Sequence, residues 1–347
     1  MTIPARLPRT LALACLLAVA AFATACGSSG NGTSTAATGG GGASSTAIKG
    51  GGGTLRVALI GTTGPLAAAK YDGSLAKDLA KVGATVQFTG QFPAFAPAAE
   101  AINAGAVDTA SGSISAAIGA LAQHPSFSIY AVQPADQGAQ GILVKDGTIK
   151  SVADLAGKKV AVNPSGTGEY LLLKALQKYK VPADKVKRVY LGMPDGGSAF
   201  SSGKVDGWAA WGAFVATAKA KGARLLIDGG QIGSQNDTIW VISKTFLAQH
   251  PATVKALFDN LRAHSIAEHD DPQGSIAKEN TGVVKLDDKA AAILAASYQA
   301  LAPVGPVTPA FEGRFADVAT FFQDQGVIKA PLDITSFTVD ASALGGS

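Results

Sequence analysis

From Thr54 onward the chain alternates short apolar runs with longer amphipathic segments, and that rhythm leaves few folds open. Residues 55–60 are strand-like, 74–82 are helical in pattern and 85–88 are strand-like again; the same order returns at 159–162, 169–179 and 186–191. Strands separated by helices predict a mainly parallel α/β sheet, and its recurrence predicts two α/β lobes. The composition agrees with built cores. Of the 347 residues 47% are hydrophobic and 16% charged, which excludes disorder for the bulk of the chain. The net charge of +4 comes with no run of Lys and Arg, so a nucleic-acid partner is not expected.

A short repeat strengthens the two-lobe reading. Ala101, Ile102, Gly105, Val107 and Asp108 recur 98 positions on as Ala199, Phe200, Gly203, Val205 and Asp206. Each copy has the pattern of a helix that stops at a glycine and feeds a strand. A strand at 238–243, then helices at 244–269 and 287–301, are expected to close the chain by crossing back to the first lobe.

Ahead of the folded part, Arg6 and Arg9 precede an apolar run from 11 to 22 and the small residues Ala23, Thr24 and Ala25, the order of a secretory signal peptide. The run is too short to span a membrane. Cys26 then resembles the lipidated cysteine of a bacterial lipobox, so 1–26 is expected to be a lipoprotein signal peptide with a lipid anchor at Cys26. Residues 27–53 are nearly all Gly, Ser, Thr and Ala, a composition that predicts a flexible tether with a reach of ~30 Å. The other cysteine, Cys15, lies in the apolar run, which leaves the mature domain without disulfide, Cys-ligated metal or thiol nucleophile.

In open α/β sheets ligands sit beyond the carboxyl ends of strands, where helix N-termini offer N–H groups. Three small, hydroxylated, uncharged loops meet that description. They supply Thr62, Thr63 and Gly64 after the first strand, Ser113 and Ser115 after the strand near 108–110, and Ser165, Gly166, Thr167 and Gly168 after 160–163. A hydrogen bond to a charged group is worth ~1.5–3 kcal/mol and a helix dipole ~0.3–1, so three or four donors approach the ~8 kcal/mol of a micromolar complex. An anion can therefore be held without an arginine clamp, and a neutral polar solute fits equally. Trp208 and Trp211 fall on opposite faces of one strand, Trp208 toward the core and Trp211 toward the cleft. His264, Glu268, His269, Asp270 and Asp271 have poor spacing for a metal site and read as a solvated helix end. No metal and no cofactor is expected, since the P-loop, the Gly-x-Ser-x-Gly elbow and a dinucleotide fingerprint after the first strand are all missing.

Residues 149–161 (IKSVADLAGKKVA), with Tyr170, Leu171, Leu172, Phe92, Pro93, the two repeat copies, Trp208 and Trp211, resemble the solute-binding proteins of ABC importers for aliphatic sulfonates, taurine and nitrate. The resemblance covers most of 55–338. It implies a two-lobed, type II-like periplasmic-binding fold, lobe one at 54–139 plus 236–347 and lobe two at 140–235, with ligand in the cleft against the three loops and Trp211. It implies a monomer that hands a small sulfonate-like anion, an aliphatic sulfonate or taurine, to a membrane permease with its ATPase. Nitrate, or a neutral or aromatic solute such as a pyrimidine vitamin precursor, are the alternatives. Three departures stand out: Gly212-Ala213-Phe214 where the family often has Asp-Pro-Phe, Ser113-Ile114-Ser115-Ala116 where it has an acid and prolines, and Glu169 at a position often His. A carboxylate at 169 opposes an anion unless it points away. An extracytoplasmic enzyme on the same scaffold would need a base or nucleophile in the cleft, for which Glu169, Asp195 and Glu100 are the candidates.

Overall fold

A computed structural model of the chain describes residues 49–123, 125–145, 147–281 and 285–344. The expected signal peptide, Cys26 and the expected tether up to residue 48 lie outside the described residues. The chain opens with β1 (Thr54–Ile60), α1 (Pro65–Tyr71), α2 (Ser74–Lys81), β2 (Thr85–Phe92), α3 (Phe95–Asn103), β3 (Thr109–Ser113), α4 (Ile114–Leu121) and β4 (Phe127–Gln133). It continues with β5 (Gln140–Val144), β6 (Lys159–Val162), α5 (Thr167–Lys178), β7 (Lys187–Tyr190), α6 (Met193–Ser201), β8 (Gly207–Trp211), α7 (Gly212–Ala220), β9 (Arg224–Asp228) and the single turn α8 (Gly229–Ile232). Last come β10 (Thr238–Ser243), α9 (Lys244–Gln249), α10 (Pro251–Asp270), α11 (Pro272–Glu279), α12 (Asp288–Ala300) and α13 (Pro309–Asp324).

Two five-stranded sheets result, ordered β2-β1-β3-β10-β4 and β7-β6-β8-β5-β9. They are not mainly parallel. In each sheet two pairings are parallel and two antiparallel, because β10 and β5 run against both of their neighbours. These are the strands the chain lays down on crossing between lobes, so each crossover feeds a strand running opposite to the helix-linked ones. Direction is invisible in an apolar run, whereas burial is legible. In β1, Leu55, Val57 and Leu59 pack into one apolar cluster and Ala58 into another, so both faces of the sheet are covered. One cluster runs continuously from α4 to α5 and α13, where the rings of Phe321 and Phe322 meet Tyr170 edge-on at 5.5 and 5.9 Å.

The repeat is a structural unit. Gly105 and Gly203 take φ of 70° and 73° just beyond α3 and α6, a left-handed turn that glycine enters without strain. Three residues later, Asp108 N donates to Arg56 O at 2.8 Å while the Asp108 carboxylate accepts from Arg56 N at 2.8 Å. Asp206 and Lys159 do the same, at 2.8 and 2.7 Å. Each aspartate thus locks the entry of one strand (β3 or β8) to a parallel neighbour (β1 or β6). The first lock is stronger, because Arg56 also reaches Asp108 through Nε at 2.8 Å and through a second guanidinium nitrogen at 2.6 Å.

Three expectations need correction. Residues 50–53 are not tether: Gly52 N donates to Val82 O, Thr85 N to Gly53 O and Ala252 N to Gly50 O, each at 2.9 Å. Gly53, at φ 80°, also lies against the His250 imidazole, where a Cβ would come within 2.7 Å of Nε2. Second, the helix expected at 244–269 breaks at His250, which Pro251 forces out of helical geometry (φ −134°, ψ 52°). Third, α11 and α13 add to the helices expected at the end of the chain, and α13 buries Phe311, Phe315, Val318 and Phe322 along one face. Among the described residues no helix is long and apolar enough to cross a membrane.

Asp108 is 2% exposed, and removing it leaves three Arg56 donors without an acceptor. Urea unfolding is expected to show Asp108→Ala less stable by about 2–4 kcal/mol and Asp206→Ala, half-buried with one such bond, by about 1 kcal/mol.

Candidate functional site

A cavity of about 740 Å³ lies where the carboxyl ends of β1, β3, β6 and β8 face one another. Thr62, Thr63 and Gly64 line it from the first loop. Gly64 N donates to the Tyr298 hydroxyl at 2.9 Å, and that hydroxyl donates to Glu279 at 2.8 Å, so α12 and α11 hold this loop from behind. Of the second loop Ser113 lines the cavity and Ser115 does not: Ser115 is fully buried, its N–H donating to Asn236 Oδ1 at 2.8 Å. Gly112 lies flat against Phe95, where a Cβ would meet the ring at 2.5 Å.

The third loop behaves differently from expectation. Thr167 lines the cavity together with Asn163, while Ser165, Gly166 and Gly168 do not. The N–H groups of Ser165 and Gly168 are spent inside the loop. Ser165, exposed at φ 49°, gives its N–H to Glu169 Oε2 at 2.7 Å, and Gly168 gives its N–H to Asn163 Oδ1 at 2.7 Å. Space beside Gly166 is filled by the Asn163 amide. Glu169 itself is buried and turned away, its Oε1 accepting from Arg188 at 2.8 Å and from the Tyr190 hydroxyl at 2.6 Å. Glu169 is therefore no obstacle to an anion. Asp195 and Glu100 are exposed, and none of these three acids lines the cavity.

The two lobes meet at hydroxyls. Ser113 Oγ lies 2.9 Å from Thr167 Oγ1, and Asn236 Nδ2 donates to Thr167 Oγ1 at 3.1 Å. Asn236 sits on the returning crossover beside Asp237, whose carboxylate is fixed by Arg314 Nε at 2.7 Å and Ala135 N at 3.1 Å. Burial raises the Asp237 carboxyl while Arg314 opposes the rise. Trp211, the last residue of β8, lines the cavity and packs near Phe214, while Trp208 is buried. The start of α7, residues 212–214, also lines the cavity, and no side chain caps it. Helices α4, α5 and α7 thus begin at the cavity, and each adds a positive dipole end of roughly half a charge.

The described lining contains no Lys, Arg or His, and its charged residues are Asp136 and Glu268. Reading Glu268 as part of a solvated helix end is mistaken. His269, Asp270 and Asp271 are exposed, but Glu268 is 3% exposed, on the face of α10 that buries Leu257 and Leu261. Asn163, Asn236, Trp240 and Tyr298 also line the cavity and carry no loop signature that marks them in the sequence.

Glu279 is raised to about 7, chiefly by burial, against which Tyr298, Gly64 and His264 pull downward. The fold therefore holds a proton that the unfolded chain releases near the ordinary value of 4.5. This contribution to stability is complete below about pH 4.5 and is lost as pH rises through 7. Thermal melts are expected to show Tm falling from pH 5 to pH 8, with Glu279→Gln flattening that part of the slope while retaining an acceptor for Tyr298.

Residues 94–274, more than half of the chain, match the family described as NMT1/THI5 like. Over 196 residues the chain is 32% identical to the taurine-binding periplasmic protein of Escherichia coli (strain K12), covering 55% of this chain and 59% of that one. The chain spans about half the length of the curated relatives it matches. Among solved structures, the alkanesulfonate-binding protein SsuA from Xanthomonas axonopodis pv. citri bound to MOPS aligns with a TM-score of 0.75 at 23% identity, covering 83% of this chain and 98% of that one. The periplasmic aliphatic sulphonate binding protein SsuA from Escherichia coli aligns with a TM-score of 0.71 at 24% identity, over 83% and 92%. These alignments give the fold as the two-lobed one of periplasmic solute-binding proteins. A match over more than half its length, on this fold, makes the chain a member of the NMT1/THI5-like family.

Proposed function

We propose that the protein is the extracytoplasmic solute-binding component of an ABC importer, taking an organic sulfonate into the cavity between its lobes and delivering it to a permease. The observation that carries this reading is the meeting of three neutral polar side chains, Ser113, Thr167 and Asn236, hydrogen-bonded to one another where α4 and α5 begin. Dipole ends and hydroxyls suit a diffuse anion such as a sulfonate, which keeps its charge at any physiological pH and needs no counter-ion if donors surround it. Relatives and fold neighbours named for taurine and aliphatic sulfonates support the same class. Lobe one comprises 54–139 plus 236–347 and lobe two 140–235, with a lipid at Cys26 holding the monomer to the membrane. The protein acts by binding rather than by catalysis, and the acids considered for catalysis lie away from the cavity.

The cavity size narrows the ligand. At roughly 30 Å³ per water-sized unit, 740 Å³ holds about two dozen such units, far more than nitrate fills. A neutral ring compound is the second reading, favoured by a lining with two carboxyl groups and no cation.

Trp211 and Trp240 line the cavity, so titration can be followed by intrinsic fluorescence. Alkanesulfonates of several carbons are expected to quench or shift the emission at micromolar concentration, and nitrate to leave it unchanged. Ser113→Ala and Thr167→Ala are each expected to raise Kd about tenfold, ~1.4 kcal/mol, with Ser165→Ala within about twofold of the parent. Silence with every sulfonate at millimolar concentration, alongside a response to a pyrimidine, would transfer the assignment to the neutral solute.

A further inference from the structure

Two buried polar atoms at the cavity have no hydrogen-bonding partner: the indole Nε1 of Trp240 and Oε1 of Glu268. Both residues line the cavity, and they are only 2% and 3% exposed. They share one side of the first sheet. Trp240, from β10, belongs to the apolar cluster that contains Leu66 of α1 and Leu257 and Leu261 of α10, and Glu268 lies seven residues beyond Leu261 on the same helix. Ordinary packing would put a leucine at that point in the stripe. A carboxyl is there instead, and among the described residues it donates or accepts no hydrogen bond.

Buried polar groups are nearly always paired, and those left unpaired in a native protein call for a partner from outside the chain. The two atoms here differ in kind. The indole N–H only donates, so it needs an acceptor, whereas the neutral Glu268 carboxyl both accepts and donates, so it takes a partner that can do either. An ammonium satisfies Glu268 but offers nothing to Trp240. A second anion satisfies Trp240 but finds no cation in the described lining to balance its burial. A methyl group leaves both unpaired. A hydroxyl or a carboxamide supplies an acceptor and a donor together.

We propose that Trp240 and Glu268 form a subsite for the end of the ligand remote from its anion, and that this end is a hydroxyl or carboxamide group. The substrate class is then a sulfonate with a neutral, hydrogen-bonding terminus, long enough to run from Ser113 and Thr167 to the face of α10. This rests on the sulfonate reading for the other end only. Burial, and after it the neighbouring Glu279, raises the Glu268 carboxyl well above its ordinary range, in keeping with a group meant to meet a neutral partner.

Matched pairs of sulfonates test it, equal in length and ending in methyl or in carboxamide, titrated by calorimetry into the parent protein, Glu268→Met and Trp240→Phe. The parent is expected to favour the carboxamide by at least about tenfold, ~1.4 kcal/mol. Each variant is expected to reduce that preference below about threefold while keeping its affinity for the methyl-ended ligand. Ligand-free Glu268→Met is expected to melt no lower than the parent, since it removes an unpaired polar group. Equal binding of the pair by the parent overturns the proposal, as does a preference that survives both variants. A fall in Tm of Glu268→Met with both affinities lost in parallel also overturns it, by making Glu268 structural. The same comparison with carboxylates separates the two readings: a carboxamide preference there without any sulfonate binding overturns the sulfonate alone, and no preference in either series overturns the subsite.

Discussion

Each lobe depends on a carboxylate that closes the start of a strand. Asp108 and Asp206 both give their own N–H to a neighbouring strand and take that strand's N–H in return, which sets the register of β3 on β1 and of β8 on β6. Both strands then run five residues and hand over to a helix. Ser113 and Trp211 are those last residues, 98 positions apart like the aspartates, so the locks at one end of the sheets fix which side chains emerge at the other. A hydroxyl comes from one lobe and an indole from its counterpart. Equivalent positions of the two sheets thus present different side chains to one cavity.

Electrostatics in that cavity follow from what it lacks. With no cation in the described lining, the positive field comes from backbone dipoles at the starts of α4, α5 and α7, which are fixed by the fold and cannot be protonated or displaced. Against that field stand Glu268, raised by burial and by the neighbouring Glu279, and Glu279, raised by burial to about 7, with Tyr298 passing a hydrogen bond from Glu279 to the loop at Gly64.

The repeat, the alternation of strands and helices and the small donor loops were all legible in the sequence, because each depends on spacing and residue type alone. What was not legible depends on where a few atoms point. Ser165, Gly166 and Gly168 have the composition of a donor loop, yet Glu169 and Asn163 absorb the N–H groups of Ser165 and Gly168. Neighbouring charges disguised Glu268, since Asp270 and Asp271 make the end of α10 look solvated throughout when only part of its circumference is. The opposed direction of β5 and β10 left no trace in their apolar runs. By contrast, the stripe Phe311, Phe315, Val318, Phe322 was present at helical spacing and was the available signal for α13.

The fastening of residues 50–53 bears on mechanics. Gly50 and Gly52 are tied to the start of α10, and Gly52 and Gly53 to the chain entering β2. Tension drawn along the N-terminal segment therefore enters beside β1 and spreads in shear through the β1–β2 ladder and along a twenty-residue helix. The second sheet is reached through the crossovers beyond β4 and before β10 and through the packing of α5 on α4 and α13, so it lies further along the load path.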